Sequence, residues 1–416
     1  VRGHRQLGPI FRVSALWREV VILAGPEANR FLAEEGDRVL TVREFYGGLA
    51  EAMETKDYIL ANDGERHDRL RHLLARGFAR RAIAPHLETL VALTREMVAG
   101  WKRWQLVRIV PALKHLITRQ LGLALAGRDP GERVDDIQRF LTTLSQVTML
   151  RTRPRAALQL PGFRRARARV LELAREVVAD HRGRSRSDRE PDVIDDMIAA
   201  VDAQDSGLSE DALHAVVIAS IYLAGIDTAA LSCAFMLYEV ARRPELLAAI
   251  REECAPILAR GGPALDDLKE MPLLEAAMLE TFRLHPVAPA APRTAARSFE
   301  FAGCRVEAGS DVLVGTAVTH FLPQYFPEPY QFDVSRYLRP HAEHKQPTVW
   351  APFVLGAHSC LGARFAEAQI MTTMATLLSS ADLVLEDPTA PLRLKIGPSR
   401  GPHPSLGVWV ANNWVA

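Results

Sequence analysis

The chain has 416 residues, 48% of them hydrophobic, enough to bury one large core or several smaller ones. Lys and Arg total 51 against 50 Asp and Glu, and the resulting net charge of +1 gives no sign of a nucleic-acid binder. Four scattered cysteines, Cys233, Cys254, Cys304 and Cys360, offer no zinc, iron–sulfur or disulfide spacing, which fits a reducing cytoplasm. No run approaches the roughly 20 apolar residues of a membrane span, and because the sequence opens on Val1, a leader or anchor ahead of it stays open.

Residues 9–23 alternate apolar and polar about a polar break, the pattern of a hairpin. Gly25-Pro26 then opens a short helix to about Glu35, and amphipathic periodicity predicts helices near 64–80, 85–103, 108–126, 134–150 and 163–181. Residues 182–192 read as a polar, charged loop. Residues 208–242 read as one unusually long helix with almost no charge at its centre. A further helix over 266–284 ends at His285-Pro286, since a residue before proline avoids the helical region. Short β-prone runs, separated by Gly303 and Gly309 over 294–314 and recurring over 392–410, predict small sheets. The whole reads as mainly α, a single domain over 1–416, with β-rich parts at about 9–60, 294–320 and 385–416.

Four runs carry chemistry beyond this pattern. Cys360 lies in Phe353-Val-Leu-Gly356-Ala-His358-Ser-Cys360-Leu-Gly362, a tight loop running into an Ala-rich apolar helix. A thiol at a helix start faces unpaired N–H groups and the positive end of the dipole, which favour thiolate and metal binding. Gly356 and Gly362 let backbone approach a flat ligand, although an isolated cysteine is also commonly a buried structural one. Ala224-Gly225-Ile226-Asp227-Thr228 places an acid inside an apolar helix, which costs several kcal/mol if the charge is buried and unpaired. One reading is a cap for a following helix segment. The other is chemical: Gly225 leaves room for a flat ligand or a small molecule, and the Thr228 hydroxyl bonds its i−4 carbonyl or opens that ladder. Glu280-Thr-Phe-Arg283 sets opposite charges three apart on a helix flanked by Leu273, Leu274, Ala277, Met278 and Leu284, so the pair is buried and needs a third partner. His67 and Arg71 lie four apart, on one helical face.

Ala-Gly-x-Asp-Thr, Glu-x-x-Arg and Phe-x-x-Gly-x-x-x-Cys-x-Gly, in that order, resemble the cytochrome P450 family, and the likeness covers essentially the whole chain from Pro9 onward. The resemblance implies a P450 fold and one haem b ligated by Cys360. It implies contacts to that haem from Phe353, Gly356, Gly362, Ala224 and Gly225, and propionate partners at His67, Arg71, Arg293 and His358. It implies that Asp227 and Thr228 relay protons during dioxygen activation. Glu280, Arg283 and Arg336 become a structural trio that holds the cysteine loop, with Val334 standing where a proline is common in the Arg336 motif.

Substrate contacts are expected from 45–60, 150–163, Ala224, Gly225, Val287, Ala288, Ala290 and Ala291, a small and apolar set that suits a bulky terpenoid, steroid, fatty acid or polyketide, or that is simply core. The Arg-rich run 150–169 reads as a solvated basic face or as a contact for an anionic membrane surface. With no phosphate-cradling Gly motif and no iron–sulfur cysteine set, electrons for hydroxylation or epoxidation are expected from an external ferredoxin or flavodoxin. Arg66, Arg69, Arg76, Arg80, Arg81 and Arg364 would attract it to the thiolate side of a soluble, cytoplasmic monomer. The rivals are a specialised enzyme of desaturation or aryl coupling, and a peroxide-driven one, against which the Asp227-Thr228 pair counts. A haem sensor or carrier is the non-enzymatic alternative, and it has no use for a proton-delivering threonine.

Overall fold

The computed structural model describes every residue except 16–17, 54, 184–190, 204–206, 342, 398 and 415–416. Most of the loop expected over 182–192 therefore lies outside the described residues.

Helices occupy Pro26–Glu34, Gly64–Ala75, Leu87–Ala99, Ile109–Ala126, Val134–Thr148 and Pro161–Gly183, where the apolar periodicity placed them. Local chemistry sets the ends. Pro26 starts its helix at a position whose N–H has no partner anyway, and Ile109–Ala126 stops at Gly127, which turns left-handed at φ 60. Val193–Asp202, which periodicity did not single out, opens on a capping box made by Asp192 and Asp195. The helix expected over 266–284 is broken: a short turn at Asp267–Glu270 precedes Pro272–Leu284, because Pro272 has no N–H with which to continue from it.

The long helix runs over Glu210–Ala241. Its central stretch Val216–Leu223 widens into π geometry before regular helix resumes at Ala224–Ala241, a local unwinding that periodicity does not reveal. By length and composition this helix is apolar enough to cross a membrane, yet it is a core element: Cys233, Phe235 and Met236 are each 0% exposed. It packs against Ile109–Ala126 on one side and Ala363–Ser380 on another.

The N-terminal hairpin forms as read, with Ile10–Ala15 antiparallel to Arg18–Ala24. Arg18–Ala24 runs parallel to Asp311–Gly315, which pairs in turn with Ala291–Ala295 and through it with Leu40–Thr41. The stretch 9–60 is less β-rich than expected. Between Ala24 and Ile59 its residues are mostly in Pro26–Glu34, Gly36–Val39 and Arg43–Ala52, whose apolar faces pack on the sheet and on neighbouring helices. At the C-terminus, Gly407–Asn413 pairs with Ala381–Leu385 and Leu106–Arg108, and Leu394–Lys395 pairs with Gly401–Pro402. The helices share one extensive apolar core, and a smaller one under the five-stranded sheet gathers Val21, Leu23, Phe31, Val312 and Val314. Each large side chain buried in either core contributes about 1.5–3 kcal/mol.

Candidate functional site

Cys360 lies just ahead of Ala363–Ser380, the apolar helix expected after it. The loop holds itself: the Cys360 N–H donates to the Phe353 carbonyl at 2.8 Å and the Ser359 N–H to the Gly356 carbonyl at 3.0 Å. Gly356 has φ +77, and a Cβ there would come within 2.7 Å of the Leu32 carbonyl oxygen. This glycine is therefore required by the turn and by packing on Pro26–Glu34, a different reason from the ligand approach expected of it. Gly362 is less constrained, with Phe78 at an ordinary 3.6 Å from a notional Cβ. Phe353 packs edge-on to Phe282 and Trp350.

Cys360 keeps an exposed face as a residue, although protein crowds around its thiol, whereas Cys233 and Cys254 are buried. Desolvation by the surrounding protein raises the thiol pKa, against the downward pulls of the Gly362 N–H and the Arg71 guanidinium. The expectation that the loop alone favours thiolate is thus corrected: desolvation wins over the helix start, and the proton leaves when a cation replaces it.

Beneath the loop lies a buried ionic brace. Arg283 donates to both oxygens of Glu280, at 2.7 and 2.8 Å, with both side chains 0% exposed. It also donates to the carbonyls of His320, Pro329 and Gln331. Arg336 stands 3.5 Å from Glu280, and the Tyr337 hydroxyl and Asp333 N–H complete the carboxylate's shell at 3.0 and 2.9 Å. The expected trio is therefore brought together, with Val334 in place and no proline required. His320 joins it to the cysteine loop. Its Nε2 accepts from the Ala351 N–H at 2.9 Å, so the proton sits on Nδ1, which faces the Arg283 carbonyl at 3.3 Å. Burial first, and then Arg283, drive the His320 pKa down to about 3, so the ring is neutral. Asn29 adds a bond to the Thr348 carbonyl at 2.7 Å, and Thr319 one to the Val349 carbonyl at 2.5 Å.

Four cationic or titratable side chains expected at one place are found there. His67, 2% exposed, packs against His358 with ring centroids 4.1 Å apart and the rings tilted by 42°. His358 Nε2 is 3.3 Å from Asp63 Oδ1, and its buried Nδ1 has no partner. Burial pushes the Asp63 carboxyl up, but hydrogen bonds from His358, Thr41 and the Val42 N–H outweigh it and hold the pKa at about 2. Arg71 donates to the Ser359 carbonyl at 2.7 Å and to its hydroxyl at 3.1 Å. Arg293 is 7% exposed and makes a hydrogen bond to the Pro292 carbonyl at 2.8 Å, with no carboxylate of the described residues in contact. Burial lowers its pKa, and Tyr46, Asp37 and Asp63 pull it back.

Across the core, the long helix exposes Ala224 although Ile221, Tyr222 and Ile226 around it are buried. Thr228 donates to the Ala224 carbonyl at 2.8 Å, the i−4 bond that its position allows. Asp227 is no cap, since the helix runs through it, and it pairs with Lys114 of Ile109–Ala126 at 2.6 Å. At Gly225 a Cβ would come within 2.7 Å of the end of the Leu121 side chain, so the glycine also eases the packing of the long helix on Ile109–Ala126. Beyond the Pro272–Leu284 helix, Ala288 is exposed and Ala290 partly so, whereas Val287 packs against the main core and Ala291 is buried in the smaller one, so the core reading holds for the last two.

A family model for cytochrome P450 matches residues 1–399. The chain belongs to the cytochrome P450 family. A sterol 14alpha-demethylase of Mycolicibacterium vanbaalenii is 26% identical over 379 residues, covering 89% of this chain and 83% of that protein. Among solved structures, "Retinoic acid bound cyanobacterial CYP120A1" matches with a TM-score of 0.85 at 22% identity, covering 98% of this chain and 93% of that one. A "cytochrome P450DA heme domain" matches with a TM-score of 0.84 at 19% identity, covering 98% and 90%. These last two are likenesses of fold.

As a P450 the chain is a haem-thiolate monooxygenase that uses dioxygen and a redox partner. The residues present fit such a group. A buried guanidinium without a carboxylate among the described residues and an orphaned imidazole nitrogen at His358 answer an anionic side group, while Cys360 and Ala224 are exposed at the head of one core helix and within another. The basic surface of this P450 is more self-neutralised than its sequence implies. Arg66 pairs with buried Asp57, Arg76 with Asp196 at 2.8 Å, and Arg364 with Glu367 at 2.9 Å, while Arg81 stays exposed. Sequence reasoning missed His320, Asp63, Tyr337 and Lys114. The last two have no local signal, whereas His320 lies in an apolar run, where an imidazole asks for a reason.

Proposed function

We propose that this P450 hydroxylates or epoxidises a bulky, largely apolar small molecule on one haem b, with electrons from an external ferredoxin or flavodoxin. The observation that carries the reading is the pairing of an exposed Cys360 at the head of one core helix with an exposed Ala224 in the middle of another. In this reading the haem, once bound, supplies dioxygen activation. Cys360 ligates its iron, and Arg71 orients the loop through Ser359. His67, His358 and Arg293 hold its acidic side groups, and Glu280, Arg283 and Arg336 keep the loop in place without touching the chemistry. Thr228 holds a proton at its hydroxyl, ready for transfer when the bond to the Ala224 carbonyl is exchanged for one to water. Asp227, paired with Lys114, is the group through which that proton is replaced from solvent.

The small apolar residues Ala224, Val287, Ala288 and Ala290 favour a substrate with bulk and little polarity. A relative named for sterol demethylation is consistent with an isoprenoid-derived skeleton. In this reading the partner docks around the exposed Arg81, and the protein is a cytoplasmic monomer. The test is a panel of sterols, terpenoids, fatty acids and polar controls scored by the haem spin-state shift, then turned over with NADPH and ferredoxin or flavodoxin partners. Oxygenated products from bulky apolar members support the proposal. Shifts confined to small polar compounds, or NADPH-independent turnover with peroxide alone, would remove it.

A further inference from the structure

Tyr58 is 1% exposed, and its hydroxyl is a buried donor without a hydrogen-bond partner. It immediately precedes the turn Ile59–Ala61, which packs against the helix Arg43–Ala52 carrying Tyr46. The same helix packs on the strand Ala291–Ala295, which carries Arg293. Two phenols and a guanidinium are thus gathered on three adjoining elements, and nothing given by the sequence motifs accounts for the phenols. A buried hydroxyl left unpaired costs about 1–3 kcal/mol, so one that persists asks for a partner.

Burial raises the pKa of Tyr46 against the pull of Arg293, and burial together with Tyr46 raises that of Tyr58 well above its ordinary value. Both phenols are therefore neutral O–H donors, and neither can serve as the counter-ion of Arg293. The negative charges nearest in effect, Asp37 and Asp63, do not contact the guanidinium, and Asp63 is engaged by Thr41, Val42 and His358. The missing partner is an anion with several lone pairs. A carboxylate fits, since it can accept from two hydroxyls while lying against a guanidinium.

We propose that Tyr46 and Tyr58 donate their hydroxyl protons to the haem carboxylate paired with Arg293, forming an anion cradle of two phenols and one guanidinium. The inference rests on the haem reading above. The phenols act as positioning and retention groups and take no part in the chemistry.

The test uses the haem-loaded protein and its Tyr58→Phe and Tyr46→Phe variants, which keep ring volume and remove the donor. Transfer of haem to an excess of a haem-scavenging apo-globin gives the retention rate, and resonance Raman bands of the propionate bending modes report hydrogen bonding to that carboxylate. The proposal expects each variant to lose haem about two- to tenfold faster, with a shifted propionate band and an unchanged thiolate-type spectrum of the reduced carbon monoxide complex. Unchanged haem loss and unchanged Raman bands in both variants overturn it. So does a variant that holds haem normally but weakens the spin-state response to substrate, which would assign the phenols to substrate. If Tyr58→Phe fails to fold, Tyr46→Phe decides alone. A wild-type protein without the thiolate-type spectrum would overturn the haem reading itself, an outcome distinct from any of these.

Discussion

Around the cysteine loop every oxygen of Glu280 is engaged, by Arg283, Arg336, Tyr337 and the Asp333 N–H, and the network reaches the loop through His320 and Ala351. On the long helix the motif acid has Lys114 as its ion partner, partly exposed, and Thr228 is held by its own helix. One region is dry and cross-linked. The other borders an opening and is sparsely bonded. The contrast separates a rigidly braced cysteine loop from a helix segment whose polar groups are free to exchange partners, the division that the proposed roles of the two regions require.

The sharpest way to break the contrast is Arg283→Ala, which leaves Glu280 buried and its charge uncompensated. The expected loss is about 3–5 kcal/mol, read as a lower denaturant midpoint together with loss of haem content. A destabilisation under about 1 kcal/mol would show that the network is ornamental.

His320 gives the next largest effect and carries a pH signature. Its imidazole sits near 3 when folded, against 6.5 as the ordinary value. The unfolded chain therefore takes up a proton below pH 6.5 that the native state refuses until about 3. Stability attached to this ring is complete above pH 6.5 and is lost as pH falls through that window, at up to about 1.4 kcal/mol per pH unit. His320→Gln, which retains an acceptor for the Ala351 N–H, should flatten urea midpoints between pH 6.5 and 4 by that slope. An unchanged slope would place the acid sensitivity elsewhere.

On the open side, Thr228→Ala should change stability by no more than about 0.5 kcal/mol, since it removes a local helix bond. It should leave haem and substrate binding intact, yet divert NADPH equivalents several-fold from product to peroxide or water. Equal coupling in wild type and variant would remove Thr228 from proton delivery. The smallest effect is expected at the docking face. Arg81→Glu should slow reduction by ferredoxin about two- to fivefold at low salt and by less at high salt, because exposed charges are screened over about 8 Å at physiological ionic strength. Arg81 is a cleaner probe than Arg76, whose reversal would also break its tie to Asp196.

The fold and the cysteine loop were legible because their signals are local. Glycines flank Cys360, helical periodicity runs for many turns, and Glu280 and Arg283 are three apart on one face. The resemblance to the P450 family then ordered these pieces. What the sequence did not show is what long-range packing decides. Gly225 and Gly356 were read as room for a ligand, and packing supplies a second reason for each glycine, in the Leu121 side chain and the Leu32 backbone. The helix start at Cys360 was read as favouring thiolate, but desolvation, which depends on the whole surrounding shell, runs the other way. His320, Tyr337 and Lys114 act across separations that no periodicity encodes.

The central claim is that Cys360 supplies the iron ligand, and the spectrum of the reduced carbon monoxide complex tests it most directly. The wild-type protein should give the red-shifted Soret band of thiolate ligation, and Cys360→Ala should lose that band, because Cys233 and Cys254 are buried and Cys304 stands on a separate surface hairpin. Persistence of the band in Cys360→Ala, or its absence in the wild type, would contradict the account.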